Sequence, residues 1–309
     1  MPLTRAPEKQ SPVRVELHLT TEQQAATRAM DENCIRDVNL YLYGDTEYHF
    51  YFPSVSSPLV FNVLPGNYRS YAIANAGQDL GDKNAFKIQF YETAVDVMES
   101  SDAIPMTDRG TLAVDGAGRC TPSSLRVTRS AAKIAYTIEV ADAVAPSLRL
   151  RSVQFCNLPL TIRPFDSGSI SSTVEANYYD GEAMPVGNER RTAGTAYLFE
   201  NLQGSVDTIT DQKDKCPENA PACATYLRIL AERSADKALV EYIVYPGENN
   251  TSDFNVRRNT WHNLELVIRG ENEIDNRVLV YDGLYYGTAN CHICTGDRLR
   301  SMLPRIARL

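Results

Sequence analysis

The chain has 309 residues, a length that corresponds to about two domains of ~150 residues each. Hydrophobic residues make up 43% and charged residues 23%, ordinary globular values that let a chain of this size build its cores without disulfides or metal. With 31 basic against 39 acidic residues the net charge is −8, which argues against nucleic acid or an anionic membrane surface as partner, because both reward basic patches.

The opening "MPLTRAPEKQSP" is polar and proline-rich. It lacks the apolar core of a signal peptide, and no later stretch approaches the ~18 apolar residues of a membrane helix. Period-two alternation then takes over. In "SPVRVELHLT", Val13, Val15, Leu17 and Leu19 share one face while Arg14, Glu16 and His18 take the other, which predicts a half-buried antiparallel strand. "DVNLYLYG" repeats the pattern with Val38, Leu40 and Leu42. "VFNVLPGNYRSYAIANAG", residues 60–77, reads as two strands paired across Pro65-Gly66-Asn67, where proline presets one turn residue and glycine or asparagine tolerates positive φ. "KIAYTIEV" sets Ile134, Tyr136, Ile138 and Val140 against Lys133, Ala135, Thr137 and Glu139.

A domain boundary is expected near "ADAVAPSLRL", where a finished strand meets small residues, a proline and a new alternating run. The expected division is residues 1–145, 146–276 and a 277–309 tail. Strands are predicted in the second half at 148–155, 195–200, 224–230, 239–245, 262–269 and 278–281. In "WHNLELVIRG", Leu264, Leu266 and Ile268 face one way and Asn263, Glu265 and Arg269 the other. Helical signal is sparse, confined to "TTEQQAATRAMDENC", "NAFKIQFYETAVDVMESS" and "GDRLRSMLPRIARL". Many short strands with Gly, Pro and Asn turns predict an all-β fold of two tandem antiparallel sandwiches.

No residue set points to catalysis. The seven cysteines are scattered and odd in number, so no disulfide framework is read, although Cys216 and Cys223 flank a loop and could pair. Cys291-His292-Ile293-Cys294 lacks both the strand-to-helix context of a redox motif and a second ligand pair for zinc. His18 and His49 fall in strand patterns, as solvent-face or edge residues. Asp31-Glu32 and the Glu271/Glu273 pair read as solvated loop charges. "GENNTSDFN", residues 247–255, is rich in oxygen but lacks the ordered spacing of a calcium loop. No metal and no cofactor are called for. Among 17 tyrosines, Tyr178-Tyr179 and Tyr285-Tyr286 are candidate platforms for a glycan, or simply strand residues.

The order of several segments is similar to that of fimbrillin-type proteins of Bacteroidetes. "TRAMDENCIRDVNLYLYG" after the first strand, "FNVLPGNYRSYAIANAG", "IPM" and "LRVTRSAAKIAYTI" resemble the N-terminal half of such proteins. "AYLFENLQG", "APACATYLRI", "YIVYPGENNTSDFNVRRNTWHNLELVIRG" and "DNRV" resemble the C-terminal half, and "YGTANCHI" the start of a tail in larger members. The resemblance implies a subunit, anchor, accessory or tip protein of type V pili, with transthyretin-like β-sandwich domains and a cell-surface, outer-membrane-associated location. It implies export as a lipoprotein, so a start without a lipobox cysteine implies that the leader is trimmed or the start misassigned. The run past "DNRV" into a basic tail departs from a stalk subunit and favours an accessory role.

The family resemblance also implies a mechanism. A trypsin-like protease cuts after an arginine behind the first strand, that strand leaves, and a neighbouring subunit's strand replaces it. Arg28, before Ala29, holds the matching position. Val13, Val15, Leu17 and Leu19 form the exchangeable strand, and loss of four apolar side chains costs roughly 6–12 kcal/mol, comparable with the stability of a domain. Residues 277–287 are the candidate donor, with Val278, Val280 and Leu284 as groove contacts, or else a final strand of their own domain. The partners implied are other fimbrial subunits, with a membrane contacted only through a lipid anchor on the precursor. The alternative is a surface glycan-binding adhesion module.

Overall fold

The computed structural model describes residues 10–21, 34–55, 57–81, 104–161, 164–165, 168, 171–187 and 189–270, with 273–282 and 285–294 as backbone. Contacts divide them into two units. One comprises residues up to Ser130 together with 164–165, the other runs from Ala131 onward. The helical signals at 22–33, 82–99 and the C-terminus lie outside the described residues.

In the first unit the strands are β1 (Val13–Thr21), β2 (Val38–Tyr43), β3 (Glu47–Phe52), β4 (Leu59–Val63), β5 (Gly66–Ala74), β6 (Met106–Val114), β7 (Cys120–Thr121) and β8 (Ser124–Arg129). They follow the order β3-β2-β5-β6-β8-β1-β4, with β7 on β6. Inward-facing Val15, Leu17, Leu40, Leu42, Phe61, Val63, Leu112 and Val127 fill one apolar core. The two ends of this path meet through aromatic contacts: Phe50 of β3 and Phe61 of β4 lie 4.9 Å apart, centroid to centroid. The sheet therefore curls around its core.

Two sequence expectations change here. Residues 60–77 do turn at Pro65-Gly66, but β4 and β5 are not ladder partners: β4 pairs with β1, and β5 with β2 and β6. The turn carries the chain from one flank of the sheet to its centre. The reason lies in burial. From Ser70 to Ala74 β5 is buried on both faces, so it needs a ladder on each side, while β4 alternates buried and exposed as the end strand it is. Nor does β2 alternate. Asn39 and Tyr41 are buried on its outward face, because the segment after β5 crosses it: Asn39 donates to the Gln78 carbonyl and accepts from the Leu80 amide, both at 3.0 Å, and the Tyr41 hydroxyl donates to Gly81. Asn75, at φ 60°, ties this corner down by donating to the carbonyls of Cys34 and Ile104 at 2.9 Å.

The second unit contains β9 (Ala131–Val140), β10 (Leu148–Cys156), β11 (Leu158–Pro159), β12 (Tyr178–Tyr179), β13 (Met184–Pro185), β14 (Arg191–Phe199), β15 (Asn201–Ser205), β16 (Tyr226–Arg233), β17 (Leu239–Val244), β18 (Asp253–Val256), β19 (Trp261–Gly270), β20 (Glu273–Asp282) and β21 (Tyr285–Cys294). Four strands form the sheet β13-β10-β16-β17 and five form β14-β9-β19-β20-β21. Side chains of both enter one core, including Ile134, Tyr136 and Ile138 of β9, Phe155 of β10, Ile229 of β16, and Leu264, Leu266 and Ile268 of β19. That is the alternation the sequence predicts, used on facing sheets. Residues 131–140, which the sequence places ahead of the boundary, pair with β14 and, in parallel, with β19. Both units are all-β, as expected.

Candidate functional site

The first strand is built as an insert between two partners. Val13 to Leu17 run antiparallel to β4, with Leu17 opposite Leu59. At His18 the pairing changes sides: the His18 amide donates to the Ser123 carbonyl at 3.0 Å, and His18 to Thr21 continue parallel to β8. Val15 and Leu17 are fully buried, whereas Val13 and Leu19 are partly covered. Burial of the first pair contributes about 3–6 kcal/mol and the second pair about half that. The opposite face is solvated, and Arg14 and Glu16 form an exposed ion pair at 3.1 Å, a contact worth little.

A loop the sequence does not connect with β1 lies along its other edge. Asp115 caps the turn with its side chain, accepting from the amides of Ala117 and Arg119 at 2.9 Å, and Arg119 holds that carboxyl below the usual range through backbone and side-chain hydrogen bonds. Gly118, at φ 79°, brings backbone against backbone: a Cβ there would stand 2.1 Å from the Arg14 carbonyl oxygen. The Cys120 thiol donates to the Glu16 carbonyl at 3.3 Å. The Asp-Gly-Ala-Gly signal could have located this turn, but nothing local names its distant partner.

Of the other expected site residues, Arg28 and Ala29 lie outside the described residues, as do Asp31, Glu32, Glu271 and Leu284. Val278 and Val280 fall in β20, opposite Leu264 and His262 of β19 and opposite Ala289 and Gly287 of β21. In this structure the segment is a strand of its own unit. Tyr285 and Tyr286 start β21, opposite Asp282 and Tyr281, and the Cys291–Cys294 motif ends it; their side chains lie outside the described residues. The Tyr178 hydroxyl is engaged internally, donating to Ser172 and accepting from Gln203 at 2.9 Å, and burial pushes its pKa up to about 12. Tyr179 packs against the second core.

Cys216 and Cys223, which the sequence left open as a loop pair, are free thiols. Cys223 is buried, and its neighbourhood supplies a hydrogen-bond network: Asn201 donates to the Cys223 carbonyl at 2.8 Å. Burial raises the pKa of both thiols and pushes Cys156 up to about 12, the opposite of an activated nucleophile. His49 sits on edge strand β3, yet it is stacked on Tyr41 at 4.4 Å with Nε2 3.0 Å from Asn39 Oδ1. The 247–255 loop uses its oxygens on itself: Asp253 accepts from the Glu248 and Asn255 amides, and Asn249 from those of Thr251 and Asp253. No cluster of metal-ligating side chains occurs among the described residues.

Comparison with solved structures places this arrangement. The fold is similar to that of a candidate cell adhesion protein from Bacteroides eggerthii, with 12% identity, a TM-score of 0.60 and coverage of 94% of this chain and 99% of the other. It is also similar to the tip fimbrial protein Mfa3 from Porphyromonas gingivalis, C-terminally truncated, with 13% identity, a TM-score of 0.56 and coverage of 88% and 100%. The chain has the fold of Bacteroidetes fimbrial and cell-adhesion proteins. A further structure, a candidate cell adhesion protein from Parabacteroides distasonis, matches at 11% identity and a TM-score of 0.59 over 93% and 99% of the two chains. A family model described as a domain of unknown function, DUF4906, matches residues 196–266. That stretch runs from within β14 into β19 and so falls in the second unit of the fimbrial fold. No curated protein matches the sequence.

Proposed function

We propose that this chain is a non-enzymatic structural component of cell-surface fimbriae, an accessory, anchor or tip subunit, that assembles by exchange of its first strand. The reading rests on one observation above others: β1 is the first described element of the chain, and it inserts two fully buried side chains between β4 and β8. Removal of β1 after a cut at Arg28–Ala29 leaves β4 without its only ladder partner among the described residues and uncovers Leu59, Phe61, Leu125 and Val127, all buried in the intact unit. Such a slot recruits an extended segment by β-augmentation, with backbone bonds giving affinity and alternate side chains giving register.

The donor in this proposal is 277–287 of a neighbouring subunit, offering Val278, Val280 and Leu284. It must leave β19 to act, so exchange is coupled to opening at the end of the second unit's sheet. Attachment to the outer membrane is through a lipid on the precursor. The fold shared with the Mfa3 tip protein supports a surface role.

Limited trypsin treatment followed by size-exclusion chromatography tests the proposal. Cleavage after Arg28 is expected to yield oligomers. A product that lacks residues before Ala29, stays monomeric and melts at the parent temperature would contradict it.

A further inference from the structure

The outward face of the first unit's sheet carries a cleft of about 220 Å3 where β2, β5, β6 and β7 lie side by side. Register fixes its lining. Tyr43 of β2 stands opposite Arg69 of β5, which stands opposite Thr111 of β6. One row further along, Asn67 stands opposite Ala113, which stands opposite Thr121 of β7. The alternate residues Tyr68, Leu112 and Val114 point into the core. The cleft is therefore an aromatic ring beside a short grid of polar side chains.

Its aromatic wall is fixed in place. The Tyr43 ring lies 6.3 Å from Tyr41 at an interplanar angle of 12° and meets the edge of Tyr71 at 5.7 Å. Tyr71 is itself buried and meets Phe165 at 5.1 Å. A ring held in this way loses little freedom when a ligand docks on it.

The polar wall has an electrostatic vacancy. Arg69 is exposed, and its side chain makes no hydrogen bond or ion pair with any described residue. The same holds for the guanidinium of exposed Arg109, whose backbone amide donates to the Asp108 carboxylate; Arg109 stands opposite Tyr71 and so lies on the Arg69 face, diagonal to it, about 7–8 Å away for such a pair. Several arginines of this chain are matched to carboxylates, as Arg151 is to Glu232, Arg233 to Asp236 and Arg258 to Glu200; exposed Arg149 and Arg191 have no such partner among the described residues, but neither stands beside a second unpaired arginine across a strand pair. Asp45 and Glu47 lie near the Tyr43 end of the row, and neither pairs with Arg69. Two neighbouring guanidiniums without an acid, in a chain with an excess of acids, mark a place for an external anion.

We propose that this cleft binds a carboxylated saccharide, a uronic- or sialic-acid-type ring. Arg69 takes the carboxylate through its planar fork. Tyr43 takes the C–H face of the ring, and Asn67, Thr111 and Thr121 take its hydroxyls. Arg109 adds longer-range attraction. The volume suits one sugar ring, and the neutral hydrogen-bonding groups beside Arg69, the one cation in the cleft's lining, favour a polyhydroxylated anion over a bare one. The site is complete within one unit of one chain, so it stands apart from the strand-exchange reading.

The test is a calorimetric or NMR titration of the uncut protein with sialyllactose and a glucuronate-terminated oligosaccharide, with lactose, acetate and an acidic peptide as controls. The expected result is saturable binding of a carboxylated sugar, at least about tenfold tighter than any control. Arg69→Ala and Tyr43→Leu each weaken it at least about tenfold at unchanged melting temperature, Arg69→Lys weakens it less, and Arg109→Ala about two- to fivefold. All these variants still oligomerise after trypsin treatment, which separates this inference from the assembly mechanism. Absence of saturation with both carboxylated sugars overturns the proposal. So does binding unaffected by Arg69→Ala, or acetate, lactose or peptide binding as well as the sugars.

Discussion

Leu17→Ala should remove a large fraction of the first unit's stability. Leu17 has 0% exposure and lies in the apolar core with Leu40, Phe61 and Val127. The substitution removes about three methylene equivalents at ~0.8 kcal/mol each, and the incompletely filled space raises the total to about 2–5 kcal/mol. Against a stability of about 5–15 kcal/mol, that is a large fraction carried by one side chain of a strand proposed to be removable. Glu16→Ala is the matched control: it sits next door with its side chain 57% exposed and, among the described residues, paired only with Arg14, so it should change stability by no more than about 0.5 kcal/mol. Urea denaturation followed by circular dichroism measures both. If Leu17→Ala falls within about 0.5 kcal/mol of Glu16→Ala, β1 does not contribute as its burial requires, and a vacated slot would have no drive to recruit a strand.

Gly118→Ala combines a left-handed backbone with a Cβ 2.1 Å from the Arg14 carbonyl oxygen, so it should cost at least about 2 kcal/mol and speed tryptic release of β1. Gly116→Ala, with nothing within 4 Å, is its control in the same assay. In the second unit, His262 is fully buried and burial lowers its pKa to about 4, against ~6.5 when unfolded. The unfolded state then binds more protons between these values, so stability is fully present above about pH 6.5 and lost as pH falls toward 4. The expected loss is about 2 kcal/mol between pH 7 and pH 5. A pH series of urea melts should show that slope, and His262→Asn should flatten it; an unchanged slope would refute the assignment.

Strands with one solvated face were legible because water enforces alternation. β1, β9 and β19 read correctly for that reason, and their buried residues are those the pattern names. β2 defeated the same logic because chain from Gln78 to Gly81 covers its outer face, and sequence period cannot register a distant cover. The Pro65-Gly66 turn was legible as a reversal, but turn chemistry does not say whether the flanking strands share a ladder. β4 and β5 found different partners because the central strand needs two. Of the candidate site, the four apolar residues of β1 were readable. The Gly118 contact and the Tyr43–Arg69–Thr111 row were not, since residues far apart in the chain meet only through register.

Strand exchange is tested most directly by adding peptide to cut protein. Protein cleaved after Arg28 and stripped of its N-terminal fragment is mixed with synthetic 13–21, "VRVELHLTT", or with 277–287, "RVLVYDGLYYG", and its melting temperature is recorded. The account predicts that 13–21 restores the parent melting temperature, that 277–287 stabilises the cut protein and competes for the same slot, and that 13–21 carrying Val15→Asp and Leu17→Asp does neither. Cut protein that is monomeric and already as stable as the parent, or monomeric cut protein that is stabilised by neither peptide, would contradict it.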